Sequence, residues 1–124
     1  MPGFIDDGYT RQGYIKPLEP FHEGLRFEYR PATISDRNRI LSRVAACGGN
    51  KPEQIDKAVR EASKAVVERV TSWDLKDSHG KPVTINEANV LRLESHLHGS
   101  LFDVITGTIP SDENPVDEGE AEKN

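Results

Sequence analysis

The sequence predicts an α+β fold in which three to four helices pack against a small antiparallel sheet. Two observations carry this prediction. Apolar residues recur at helical spacing through a long stretch, residues 52–72, and they alternate with polar residues over residues 25–29. A chain of 124 residues with 35% hydrophobic residues has room for one domain and one modest core.

The chain divides into three parts by composition. Residues 1–24 are rich in glycine, proline and aromatic residues, and we interpret them as a flexible N-terminal arm. The arm has a short extended piece at Tyr14–Ile15, and it either packs back on the body or docks onto another subunit. Residues 25–110 form the single α+β domain. Residues 111–124 contain one large apolar residue, Val116, so we expect a disordered acidic tail.

The first predicted strand of the domain is the segment LRFEY, residues 25–29. Leu25, Phe27 and Tyr29 share one face, and Pro31 ends the strand. The sequence shows only one sure partner for this strand. It therefore leaves open an exposed edge that accepts a strand from another protein.

Two helices follow the strand. Thr33 and Asp36 have the spacing of a capping box, which predicts a helix that continues to the glycines after Cys47. Asn50 is a good cap for the second helix, and Pro52 falls near its first turn. The apolar stripe of this second helix is predicted to run to residue 72, and Trp73 continues the same face. The stripe is formed by Ile55, Val59, Ala62, Val66 and Val70.

The sequence of the last third of the domain predicts a turn and one more helix. Residues 77–80 have turn chemistry and lie between two short extended pieces, 73–76 and 81–85. Asn86 then caps a helix whose apolar positions continue to Ile105. This helix is expected to be softly interrupted near His98–Gly99.

The net charge of −5 belongs to the tail and not to the domain. Residues 111–124 hold six acidic residues and one lysine. Removing these from the totals of 21 acidic and 16 basic residues leaves 15 of each in residues 1–110. A neutral domain lacks the basic surface that nucleic-acid binding requires, and no apolar run reaches membrane-spanning length. We therefore expect neither nucleic acid nor a membrane as a partner.

The residues that could carry chemistry favour a protein that is not an enzyme. His96 and His98 are about 200° apart on a helix, so they do not reach one metal ion together. Cys47 lies at a helix end without a local histidine, and Asp74 and Asp77 are most simply explained by a turn. The chain has no nucleophile elbow, phosphate-binding loop or CxxC motif. The sequence predicts no catalytic residue, no metal site and no cofactor.

Apolar side chains are the remaining candidates for function. A lone tryptophan after an amphipathic helix is usually a core residue, but buried aromatic residues also dominate protein interfaces. The same two alternatives apply to the other apolar positions, and the core alternative is the stronger one for each. The candidate protein-binding residues are Trp73, Val67, Leu97, Leu101, Phe27 and Tyr29.

Two strings in this chain resemble a known family. They are LRFEYRP, residues 25–31, and W-D-L-K-D-x-x-G-K-P-V-T-I-N-x-x-N-V-L-R-L, residues 73–93. With the helices around them, these strings resemble the small tail assembly chaperones of long-tailed, siphovirus-like bacteriophages and prophages. The resemblance covers roughly residues 25–107. It departs from the family at residues 86–89, which read NEAN where the family often has TPEN.

This resemblance implies a non-enzymatic role in the host cytoplasm. Such chaperones coat the helix-rich tape measure protein during tail assembly. Many also have a longer, frameshifted form whose extension recruits tail tube protein. The final residues, 122–124, are compatible with the codons GAA AAA AAC, which contain a slippery sequence. The expected partners are thus the tape measure protein, the tail tube protein and other copies of this chain.

Two other classes remain open from the sequence. The first is a small phage structural protein that joins head to tail or completes the tail, and that stays in the finished particle. The second is a bacterial protein-binding adaptor unrelated to phage assembly. Particle composition separates the first from a chaperone, and gene neighbourhood separates the second.

Overall fold

The computed structural model describes residues 3–113 and confirms the α+β fold. Its three strands are β1 (Arg11–Ile15), β2 (Leu25–Tyr29) and β3 (Val70–Trp73). Its four helices are α1 (Ile34–Ala46), α2 (Pro52–Arg69), α3 (Glu87–Val90) and α4 (Ser95–Ile105). The strands form one antiparallel sheet in the order β1-β2-β3. Helices α2 and α4 pack against the sheet, and α1 and α3 pack against α2.

Strand β2 is the central strand, so the open edge that the sequence left possible for it does not exist. β1 pairs with it on one side and β3 on the other. The predicted alternation is confirmed, because Leu25, Phe27 and Tyr29 are all buried. Gly13 lies opposite Phe27, and a Cβ atom at Gly13 would come within 2.5 Å of the Phe27 ring. The absence of a side chain at this position therefore lets the ring lie across β1.

The predicted arm is part of the domain, which moves the boundary expected at residue 24. β1 lies within residues 1–24, and its Tyr14 and Ile15 are buried. This segment packs back on the body, which is one of the two alternatives that the sequence left open. The structural reason is the ladder with β2, since an apolar strand gains both backbone hydrogen bonds and core contacts there.

The first residues of the predicted tail also belong to the domain. The Ser111 hydroxyl accepts a hydrogen bond from the Tyr14 amide at 2.7 Å, and the Asp112 amide donates to the Tyr14 carbonyl at 2.9 Å. These bonds satisfy backbone groups on the outer edge of β1. The expected disordered tail at residues 111–124 is therefore wrong for its first two residues. Residues 114–124 lie outside the described part of the chain.

Helix α1 begins with the predicted capping box. The Asp36 amide donates to the Thr33 hydroxyl at 3.1 Å, and the Thr33 amide donates to the Asp36 carboxylate at 3.3 Å. The same carboxylate pairs with Arg69 at 3.0 Å, which ties the start of α1 to the end of α2. Ile40 is the buried residue of α1, so this helix contributes little to the core.

Helix α2 ends earlier than predicted. It stops at Arg69, and its N-cap is Lys51 and not Asn50. Val70, Thr71 and Trp73 lie in β3, so Trp73 does not continue a helical face. The reason is tertiary: β-branched residues favour extended backbone, and β2 offers a partner for this segment.

The predicted last helix is two helices, and the interruption lies at residues 91–94 instead of at His98–Gly99. Asn86 caps α3 as predicted, accepting a hydrogen bond from the Asn89 amide at 2.8 Å. Glu94 then caps α4 by accepting bonds from the amides of His96 and Leu97. A second N-cap inside the apolar pattern thus begins a new helix.

The core lies between the sheet and helices α2 and α4. Its members come from all seven elements, and α4 provides the largest share of the helical contribution. The core residues are Ile15, Leu25, Phe27, Tyr29, Ile40, Ala65, Val66, Val70, Val90, Leu97, Leu101, Val104 and Ile105.

Candidate functional site

Four of the six predicted protein-binding residues lie in the core and do not form a surface. Phe27 and Tyr29 point from β2 toward the helices, and Leu97 and Leu101 point from α4 toward the sheet. The structure therefore corrects their assignment as client contacts. It agrees with the core alternative, because the side chains that make a helix or strand amphipathic are the ones that the fold buries first.

Trp73 and Val67 are half-buried and pack against this core. The Trp73 indole N–H donates a hydrogen bond to the Val83 carbonyl at 2.7 Å. This bond fastens the segment after the turn at residues 77–80 onto the sheet. Asp77 shapes that turn by accepting bonds from the amides of His79 and Lys81. Trp73 thus has a structural role in this fold, although part of its ring remains accessible.

Seven large apolar side chains of the described residues are exposed, namely Phe4, Leu18, Phe21, Ile34, Ile55, Val59 and Ile109. Four of them form two apolar surfaces beside the core. The first is the N-terminal half of α2. Ile55 is 51% exposed and Val59 is also exposed, although they continue the stripe of the buried Ala62 and Val66. We call Ile55 and Val59 the α2 apolar stripe. The stripe runs farther along the helix than the core beneath it.

The second uncovered place is a small apolar cleft of about 210 Å³. The loop after β1, one face of α4 and the segment after α4 form its walls. Leu18 is 39% exposed and Ile109 is 41% exposed at its rim, and we call it the Leu18–Ile109 cleft. Its lining residues are Ile15, Lys16, Pro17, Leu18, His96, Ser100, Val104, Ile109, Pro110 and Asp112.

Local sequence explains how this cleft forms. Gly107 has φ of +75°, a conformation that glycine adopts without strain, so the chain reverses direction directly after α4. The reversal brings Ile109 back beside the helix, and Ser111 and Asp112 then attach to β1. His96, Ser100 and Val104 are four residues apart, which places them on one face of α4.

A larger cleft of about 1030 Å³ lies on the side of the sheet near the turn at residues 77–80. Its walls are mainly polar and include Arg26 and Asp74, whose charged groups are 3.7 Å apart and roughly half exposed. An Asp74 carboxylate oxygen also accepts a hydrogen bond from the Arg26 amide at 2.9 Å. Asp74 thus links the end of β3 to β2 and does not shape the turn, whereas Asp77 has the turn role that the sequence predicts.

Three side chains that the sequence did not bring together meet at the start of α4. His22, Glu94 and His96 place one ligand atom each within 4.8 Å of one another, and we call them the His22–Glu94–His96 cluster. His22 Nε2 and His96 Nδ1 are 2.8 Å apart, and the two ring planes are inclined by 14° with centroids 5.1 Å apart. No local sequence pattern indicates a role for His22, because it lies 74 residues from His96.

His98, the second histidine of α4, has a different environment. The Ser63 hydroxyl donates to the Val59 carbonyl at 2.8 Å, so its oxygen accepts a bond from His98 Nε2, also at 2.8 Å. Burial lowers the pKa of His98 below its ordinary value. The pKa of Glu94 is lowered as well, chiefly because its carboxylate accepts the His96 amide hydrogen. His98 and His96 therefore have different roles. His98 links α4 to α2, and His96 belongs to the His22–Glu94–His96 cluster.

No helix within residues 3–113 is both long enough and apolar enough to cross a bilayer. Comparisons with protein-family models, with curated proteins and with solved structures found no match for this chain.

Proposed function

We propose that this chain is a non-enzymatic tail assembly chaperone that binds a tape measure protein during phage tail morphogenesis. The observation that carries the binding role is the Leu18–Ile109 cleft, a mainly apolar cleft whose residues Leu18 and Ile109 stay exposed beside the buried core. The identity of the client comes from the resemblance of residues 25–31 and 73–93 to such chaperones.

The size of the cleft favours a protein side chain as its occupant. Pockets for drug-sized ligands usually have volumes of about 300–1,000 Å³, and this cleft is smaller, at about 210 Å³. A single apolar anchor from an amphipathic helix suits that volume. Helices bind grooves in this way, through apolar residues one turn apart. The tape measure protein supplies such helices in large number, according to the family resemblance.

Co-expression tests the proposal. A tape measure protein from the same genome is produced with and without this chain, and the soluble fraction of the client is measured. We expect the client to become soluble only in the presence of the chain. An insoluble client beside a folded chain would overturn the proposal. Finding the chain in purified particles by mass spectrometry would instead favour a structural component of the virion.

Two matched variants locate the binding surface. Ile109→Asp places a charge at the Leu18–Ile109 cleft, and Ile55→Asp places the same charge on the α2 apolar stripe. Both residues are well exposed, so both variants should fold. We expect Ile109→Asp to lose the client and Ile55→Asp to keep it. The reverse result would support the chaperone function and place the client-binding surface on α2. Self-association and binding of the tail tube protein stay predictions.

A further inference from the structure

The His22–Glu94–His96 cluster is built like a metal site. Among the described residues it is the one place where three metal-ligating side chains converge. Two imidazoles and one carboxylate form a donor set that suits zinc and its neighbours in the first transition row, whereas magnesium and calcium prefer oxygen donors alone. We propose that this cluster binds a Zn²⁺ ion through His22 Nε2, His96 Nδ1 and a carboxylate oxygen of Glu94.

His22 is already oriented as a metal ligand. Its side chain is only 4% exposed, and its Nδ1–H donates a hydrogen bond to the Glu23 carbonyl at 2.8 Å. This bond leaves the lone pair of Nε2 directed at His96 and Glu94. A hydrogen bond from the second ring nitrogen to a backbone carbonyl is the usual arrangement around a zinc-bound histidine, because it fixes both the tautomer and the ring direction.

The distances require only small movements. Ligand atoms bound to one tetrahedral zinc ion are about 3.3 Å apart, given bond lengths near 2.0–2.1 Å. His22 Nε2 lies 2.8 Å from His96 Nδ1 and 3.9 Å from a Glu94 oxygen, and the third pair, Glu94 with His96, lies within 4.8 Å. The His22–His96 pair must therefore open and the His22–Glu94 pair must close. His96 is exposed, so its ring can make this adjustment while the buried His22 stays in place.

Proton placement is consistent with metal binding. Without metal, the hydrogen between the two rings sits on His96 Nδ1, because His22 Nε2 is an acceptor when Nδ1 donates to Glu23. Zinc takes the place of that hydrogen, and neutral His96 then carries its proton on Nε2. The proton moves from one ring nitrogen to the other through solvent, so no net proton is lost.

Glu94 supplies the charge that the ion needs. Its two oxygens accept the amide hydrogens of His96 and Leu97, yet an ionised carboxylate has about four acceptor positions and keeps capacity for a metal. The N-terminus of α4 carries a partial positive charge of about 0.5, which disfavours a cation. The full negative charge of Glu94 is larger, so the local balance favours the ion. Water completes the coordination sphere.

Zinc binding by the purified full chain tests this proposal directly. After dialysis against a chelator, Zn²⁺ is titrated by calorimetry, and Co²⁺ is used as a coloured probe of coordination geometry. We expect one ion per chain and a tetrahedral Co²⁺ spectrum without a thiolate band. His96→Ala should weaken binding by at least about 10-fold. His79→Ala is the matched control, since His79 is exposed and lies outside the cluster.

Each other outcome overturns the proposal. Absence of binding by the wild-type chain would leave the two histidines as a hydrogen-bonded pair. Equal affinity for the wild-type chain and for His96→Ala would place the ion elsewhere, and a thiolate band that disappears in Cys47→Ser would identify Cys47 as the ligand. Thermal melting of each variant without metal confirms that the fold is intact. None of these measurements involves a client, so they are independent of the chaperone proposal.

Discussion

Truncating Leu101 distinguishes a core role from a client-binding role for the residues that the sequence selected. Leu101 lies in the middle of α4 and is 0% exposed, and α4 packs against α2 and β1. Leu101→Ala removes buried methyl groups and leaves a cavity that the neighbours fill only in part. Such changes cost about 2–5 kcal/mol, so we expect the free energy of unfolding to fall by about 3 kcal/mol.

That loss is large compared with the stability of a small domain. The free energy of unfolding of such domains is about 5–15 kcal/mol, so Leu101→Ala would remove a substantial fraction of this stability. The corresponding drop in Tm is roughly 10–20 °C. Urea unfolding followed by the fluorescence of Trp73 measures it, because Trp73 is the single tryptophan and packs against the core.

Ile34→Ala is the matched control for this experiment. Ile34 has the same atoms as a leucine but is 82% exposed at the first position of α1. Its truncation should change the free energy of unfolding by no more than about 0.5 kcal/mol. If Leu101→Ala were equally mild and yet lost the client, Leu101 would be an interface residue and the core assignment would be refuted.

Three further predictions follow from local geometry. Gly13→Ala places a methyl group against the Phe27 ring and should lower the free energy of unfolding by about 1–3 kcal/mol. Gly99→Ala has open space inside a helix and should raise the free energy of unfolding by about 0.5–1 kcal/mol. Urea unfolding measures both variants. Thr33→Ala should cost about 1 kcal/mol by removing the cap of α1, and Thr33→Ser should restore most of it in the same assay. The pKa of His98 is lowered in the folded state, so its contribution is complete above the unfolded value near 6.5 and is lost as pH falls below it. Replacing His98 with Gln should reduce the decline in Tm between about pH 7 and pH 5, and an unchanged decline would contradict this assignment.

The features that the sequence predicted correctly are the local ones. The capping box joins residues three apart, and the alternation of β2 is contained in five residues. Both signals depend on the geometry of a single element, so they survive whatever tertiary structure surrounds them. The turn at Asp77 belongs to the same class, because its side chain bonds to amides only two and four residues away.

The features that the sequence missed depend on distant partners. Val70 continues the helical spacing of Val66, but β2 recruits it and Trp73 into the sheet. Glutamate is a weak predictor of a helix start, so the N-cap at Glu94 was hidden inside a continuous apolar pattern. His22 reaches His96 only because β1 and its following loop fold back over α4, which no local pattern encodes.

His96 connects the two proposals, because it lies in the wall of the Leu18–Ile109 cleft and also belongs to the His22–Glu94–His96 cluster. A zinc ion would fix the His96 ring and with it one wall of the cleft before a client arrives. Ordering the wall in advance lowers the entropic cost of binding, so zinc should tighten client binding. Linkage requires the client to raise zinc affinity by the same factor. Client affinity measured with zinc and with chelator should therefore differ for the wild-type chain and agree for His96→Ala. A zinc effect that persists in His96→Ala would show that the ion acts on the client from another place.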